Sequence, residues 1–178
     1  MTAAKFSQNK LLLPALLVLL IAGLTTALLS GQKTPLGKGS TSGGPAVSAS
    51  LPQLTGETLR LADYRGKVLA VNFFASWCAS CWNELKGLEQ VSREYAAKGV
   101  AVVGISVQSS PQDTRGMIDK LGLTFPVGLD EKGAVSQEAL GLRGMPTTLF
   151  FDREGRLLDN VTGEVSEAEL RAKLDGLL

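Results

Sequence analysis

Cys78 and Cys81 are the only cysteines in a chain of 178 residues, and they are spaced C-x-x-C. Two sulfurs at that spacing can carry redox, structural or metal chemistry. On a helix, positions three apart share a face, which brings the two side chains within bridging distance. One thiolate can then attack a disulfide, and the other can resolve the mixed disulfide. Downstream, Leu85, Leu88, Val91 and Tyr95 recur at intervals of three and four, so a helix is expected to begin beside Cys78. The unpaired N–H groups and positive dipole end of such a helix favour the thiolate, which is the nucleophile. Trp77, just before the pair, supplies a bulky apolar flank that can shield it from water. Glu84 follows Cys81 by one turn, and that spacing allows it to face the sulfur as a proton relay.

Other chemistries are open to the same residues. A structural staple would stabilise weakly, because so short a loop removes little chain entropy. A zinc half-site would lack two of its four ligands unless a second chain supplied them. A permanently bridged pair would suit a peptide-binding module with no turnover. A thiol peroxidase would need an activating Pro/Thr/Arg constellation before Cys78, and none is recognisable there. The chain has no histidine, which excludes a Ser-His-Asp triad, a Cys-His protease and any His-ligated metal. Neither a metal nor a cofactor is expected.

The elements that position the pair read as an α/β domain. Val68–Phe74 is a nearly continuous apolar run, as for a strand buried on both faces. Val100–Val107 is a second such run. Pro111–Leu121 reads as a helix with Ser110 as N-cap, Phe125–Leu129 as a short strand and Gly133–Leu140 as a short helix. Thr147–Phe151 is a strand, turning through Asp152–Gly155 into Leu157–Thr162. Ser166 with Glu169 forms a capping box for a last helix. Strands alternating with helices predict a central mixed sheet flanked by helices, its final hairpin antiparallel. Cys78 falls just past the end of a buried strand, where α/β sheets place reactive groups. Asn72, inside that strand, is expected to be a core polar group satisfied by hydrogen bonds.

The N-terminus has a different composition. Residues 11–29 carry no charge and span roughly 28 Å as a helix, close to the thickness of a bilayer's hydrocarbon core. Lys5 and Lys10 precede the run, which places residues 1–10 in the cytoplasm and the domain outside it. A cleaved signal peptide is the competing reading, but the run is long and the residues after it make a poor cleavage site. Residues 30–50 are rich in Gly, Ser, Thr and Pro and read as a flexible linker to a domain over 51–178. Residues 1–50 sum to +4 and residues 51–178 to −3. An acidic domain lacks the cationic field that nucleic-acid binding needs.

Trp77-Cys-Ala-Ser-Cys81 after Val71–Ser76 resembles the thioredoxin-like active site, and Gly144-Met-Pro-Thr-Thr148 resembles the loop carrying that fold's cis-proline. From about Pro45 onward the chain is similar to the membrane-anchored TlpA/ResA/DsbE type of extracytoplasmic thiol–disulfide oxidoreductase, including an αβ insert between Val107 and Gly133. The resemblance implies roles. Cys78 matches the exposed attacking thiol and Cys81 the buried resolving thiol. Pro146 matches the cis-proline packed against the pair, and Met145 should offer backbone hydrogen bonds to a substrate strand. Glu84 stands where this type places its proton-handling carboxylate. The implied partners are protein disulfides, in cytochrome c biogenesis or a related pathway, and a membrane-embedded thiol donor. The chain departs from the pattern at Ser80, where proline is usual, at Trp82, where a basic residue is common, and at Lys86, where many members kink the helix with proline. The alternatives are a solvated helix-face carboxylate at Glu84, a trans loop proline at Pro146 and simple packing at Trp77 and Trp82; Arg143 reads as a surface residue alone.

Overall fold

The structure, a computed structural model, describes residues 48–178. The N-terminal segment, the expected anchor at 11–29 and nearly all of the linker lie outside the described residues. Among the described residues no helix is long and apolar enough to cross a membrane. Ser50 already belongs to a strand, so ordered structure begins within the range read as linker.

The strands are β1 (Ser50–Pro52), β2 (Thr58–Arg60), β3 (Val68–Phe74), β4 (Val100–Val107), β5 (Val127–Asp130), β6 (Thr147–Phe151) and β7 (Leu157–Thr162). The helices are α1 (Ala79–Tyr95), α2 (Pro111–Leu121) and α3 (Glu167–Leu177). Five strands form one sheet in the order β5-β4-β3-β6-β7. β3 runs parallel to β4 and β4 to β5, while β6 is antiparallel to β3 and β7 to β6. This is a thioredoxin-like α/β fold with a central mixed sheet, and α2 with β5 forms the expected insert.

All seven residues of β3 are buried, so both sheet faces are covered. Alternation sorts its side chains between two cores. Val68, Ala70 and Phe74 join Leu85, Leu88, Val91, Met117, Leu170 and Leu174 from α1, α2 and α3. Leu69, Val71 and Phe73 face the other way, with Leu51, Leu59 and Leu61. The long helices therefore share one face. The other is covered by the β1–β2 ribbon, a 3-10 turn at Leu61–Tyr64 and the segment around Val135.

Several local signals act as read. Ser110 caps α2 by accepting from the Asp113 N–H, and Ser166 with Glu169 completes the capping box of α3. Gly99 ends the α1 region at φ 84°, a left-handed conformation that costs glycine least. Other boundaries shift. The short strand starts at Val127, after Pro126, which has no N–H to give a ladder. The short helix expected over Gly133–Leu140 is a π-helix, Ala134–Ala139, whose start is tied to Asp130, which accepts hydrogen bonds from the Val135 and Ser136 N–H groups.

Gly104 sets how closely β4 meets its neighbours. A Cβ there would lie 2.9 Å from Phe74 Cε1 and 3.0 Å from Phe125 Cε2. Gly104→Ala is expected to cost about 1–3 kcal/mol through overpacking. Urea denaturation checks this, and an unchanged midpoint would show that the two rings move aside freely.

Candidate active site

β3 ends at Phe74, and the next four residues deliver the cysteines. The turn is anchored at every step. The Cys78 N–H donates to the Ala75 carbonyl at 3.1 Å. The Ser76 N–H donates to Ser109 Oγ at 2.9 Å, and the Ser76 carbonyl accepts from Trp82 Nε1 at 3.1 Å. Trp77 Nε1 donates to the Gln108 carbonyl at 3.1 Å. The loop after β4 thus holds the loop after β3, a rigid support of the kind a reacting pair needs.

Cys78 is the N-cap of α1, and its sulfur accepts from the Cys81 N–H at 3.3 Å. Ser80 Oγ lies 3.5 Å from the same sulfur. Cys78 and Cys81 are joined by a disulfide, with Cα atoms 5.4 Å apart. Cys81 is fully buried, whereas Cys78 is 7% exposed. The asymmetry runs in the expected direction, but "exposed" overstates the accessibility of Cys78. Its sulfur is turned back over the helix N-terminus to meet the Cys81 amide.

Glu84 is buried, at 4% exposure, so it is not a solvated helix-face carboxylate. Its Oε2 accepts from Asn72 Nδ2 at 3.0 Å and its Oε1 from the Val165 N–H at 3.2 Å. Asn72 Nδ2 also donates to Thr148 Oγ1 at 2.9 Å. Burial pushes the Glu84 carboxyl up to about 7, with Glu164 adding to the rise and the hydrogen bonds from Asn72 and Val165 opposing it. Asn72 is the hydrogen-bonded core polar group anticipated, although its Oδ1 has no partner among the described residues. Thr148 belongs to the Gly144–Thr148 motif, but nothing in the motif marks it for this network, because only strand pairing sets it opposite Asn72.

The Met145–Pro146 peptide is cis. Phe73 pairs with Thr147, so Pro146 stands at the same end of the sheet as the loop leading to Cys78. The Pro146 carbonyl accepts from the Gly163 N–H at 2.8 Å, while neither backbone group of Met145 is bonded among the described residues. Trp77 departs from expectation. It is 64% exposed and forms a projecting ridge rather than a cover. Its indole N–H is tied to Gln108, which holds the ring outward. Trp82 packs against the helical core, with Lys120 Nζ 5.3 Å from its ring centre. Gln108 was not singled out in the sequence. It adopts φ 46° while its N–H donates to the Asp130 carbonyl, and no local pattern marks that conformation. Among the described residues no cluster of acids or cysteines is arranged to hold a metal ion.

Comparison with known proteins agrees with this geometry. The AhpC/TSA family matches residues 42–159. The chain belongs to that family. It is 32% identical over 166 residues to the thioredoxin-like protein YneN of Bacillus subtilis, covering 92% of this chain and 96% of that one. It is 28% identical over 176 residues to the thiol-disulfide oxidoreductase ResA of Geobacillus thermodenitrificans, covering 97% and 98%. A solved structure named as the thiol:disulfide interchange protein DsbE, from Chlorobium tepidum, superposes with a TM-score of 0.69 at 29% identity, covering 77% of this chain and 96% of that one. The resemblance seen in the sequence, to thioredoxin-like thiol–disulfide oxidoreductases, is therefore borne out.

Proposed function

We propose that this thiol–disulfide oxidoreductase works outside the cytoplasm as a reductant of protein disulfides, tethered by residues 11–29. In the reduced state Cys78 thiolate attacks one sulfur of a partner's disulfide. A mixed disulfide forms and one partner thiolate leaves. Cys81 then gives its proton to Glu84 and attacks the Cys78 sulfur. The second partner thiolate leaves, and the Cys78–Cys81 disulfide forms as two electrons pass to the partner. Pro146 and Met145 present the partner's chain, with Trp77 beside it. Because exported compartments are oxidising, a membrane-embedded thiol donor returns the electrons. The service is cytochrome c biogenesis or a related thiol pathway.

The observation that carries this reading is a bridged pair at the N-terminus of α1 with a buried carboxyl, raised to about 7, one turn beyond it. A group poised near neutrality suits proton transfer to and from Cys81. Equilibration with glutathione tests the direction. A potential more reducing than about −200 mV is expected, and one near about −120 mV would make the protein an oxidant. Insulin reduction separates the enzyme from a peptide-binding module, which would show no turnover. Rapid consumption of hydrogen peroxide would favour a peroxidase instead.

A further inference from the structure

We propose that the cleft between Trp77 and Met145 selects protein segments carrying an acidic side chain two or three residues from the cysteine under attack. The inference rests on the disulfide-exchange reading above and specifies its substrate.

The cleft measures about 280 Å³ and adjoins the cysteine loop through Trp77. Its opposite wall is the Leu142–Met145 stretch. The lining contains one charged side chain, Arg143, and no Asp or Glu. Arg143 is exposed, and it makes neither an ion pair nor a side-chain hydrogen bond with the described residues. The two other polar side chains of the lining satisfy each other. Gln108 Nε2 donates to Gln137 Oε1 at 3.3 Å, and Gln137 Nε2 donates to Gln108 Oε1 at 3.2 Å. Arg143 is thus the one charged group of the lining that is available to a ligand.

A chain segment fits better than a small molecule. Neither backbone group of Met145 is bonded among the described residues, so an extended segment can hydrogen-bond there as strands do. Trp77 offers a flat, half-solvated surface for its side chains. An extended chain advances about 3.3 Å per residue, so side chains two or three residues from the one paired at Met145 fall about 7–10 Å along a cleft that Arg143 also lines. A carboxylate arriving there gains a bidentate partner, whereas a lysine meets a like charge.

The test uses the pre-reduced full chain and three symmetrical disulfide-linked peptides, neutral except for Asp, Ser or Lys two residues from the cysteine. The rate of oxidation is followed by tryptophan fluorescence. The Asp peptide is expected to react about fivefold faster than the Ser peptide and roughly tenfold faster than the Lys peptide, and added salt should shrink the differences. Arg143→Glu should invert the order, and Arg143→Lys should keep it. A merely structural role for Arg143 would slow all three alike. Equal rates in the unaltered chain, or an order unmoved by Arg143→Glu, would overturn the proposal while leaving disulfide exchange intact. Failure of all three peptides to react would overturn the exchange reading and this one with it. Glutathione disulfide carries carboxylates beside its cysteine but no extended chain to pair at Met145, so Arg143→Glu is expected to slow it less than it slows the Asp peptide. Equal sensitivity would assign the cleft to small carboxylates and overturn its assignment to a protein segment.

Discussion

Cys81→Ser is expected to accumulate covalent complexes with partner proteins, seen as high-mass bands on non-reducing gels that vanish with dithiothreitol. The variant keeps the attacking thiol at the N-terminus of α1 but lacks the nucleophile that releases the partner. Cys78→Ser should trap nothing, since the remaining sulfur is fully buried. Turnover of both should fall on the order of a thousandfold or more, because each removes an obligatory nucleophile. Loss of fold does not explain such a result. Opening a bridge that closes a loop this short costs roughly 2 kcal/mol of chain entropy. A melting curve on each variant checks that point. Absence of trapped partners with Cys81→Ser, together with unchanged turnover in Cys78→Ser, would remove the dithiol mechanism altogether.

The second large effect concerns Glu84. Its carboxyl titrates near 7 in the fold and near the ordinary glutamate value of 4.5 in the unfolded chain. Between these values the folded state holds a proton that the unfolded state has released. Stability from this group is therefore present below about 4.5 and is lost as pH rises through about 7. The full difference is on the order of 3 kcal/mol. Glu84→Gln removes the titration while keeping an oxygen for one of its hydrogen bonds. It is expected to be more stable than the unaltered protein at pH 8, with the gap closing toward pH 4.5. Urea unfolding at the two pH values reads the difference, and a gap that widens at low pH would contradict a raised carboxyl. Other carboxyls, such as Glu89, are held low by hydrogen bonds and act in the opposite sense, so the comparison with Glu84→Gln is the informative one.

Activity should move the other way. Without a group to take the Cys81 proton, release of the mixed disulfide should slow roughly a hundredfold. The rate should also lose its inflection near pH 7. A variant merely weakened in fold would be slower but would keep that inflection. Retained activity with an unchanged pH profile would leave Glu84 a structural residue, holding Asn72 and the Val165 N–H in the core.

What the chain's order of residues determined by itself was local. Each helix cap follows from side chains three positions apart, as at Ser110–Asp113 and Ser166–Glu169. β3 and β4 are nearly continuous apolar runs, and the cysteine spacing with the helical periodicity beyond it places the bridge at the start of α1. The β1–β2 ribbon escaped notice because each strand has only three residues with one buried between two exposed, too short a pattern to register. Tertiary structure decided the rest of the site. Glu84 is buried because Asn72, twelve residues before it, and Val165, 81 residues after it, converge on its two oxygens. Trp77 stands out in solvent because a carbonyl 31 residues away holds its indole. Spacing along a helix tells which side chains share a face. Whether that face meets water, a carbonyl or another carboxylate depends on distant segments, and their arrival sets both the burial and the proton affinity of the groups at the bridge.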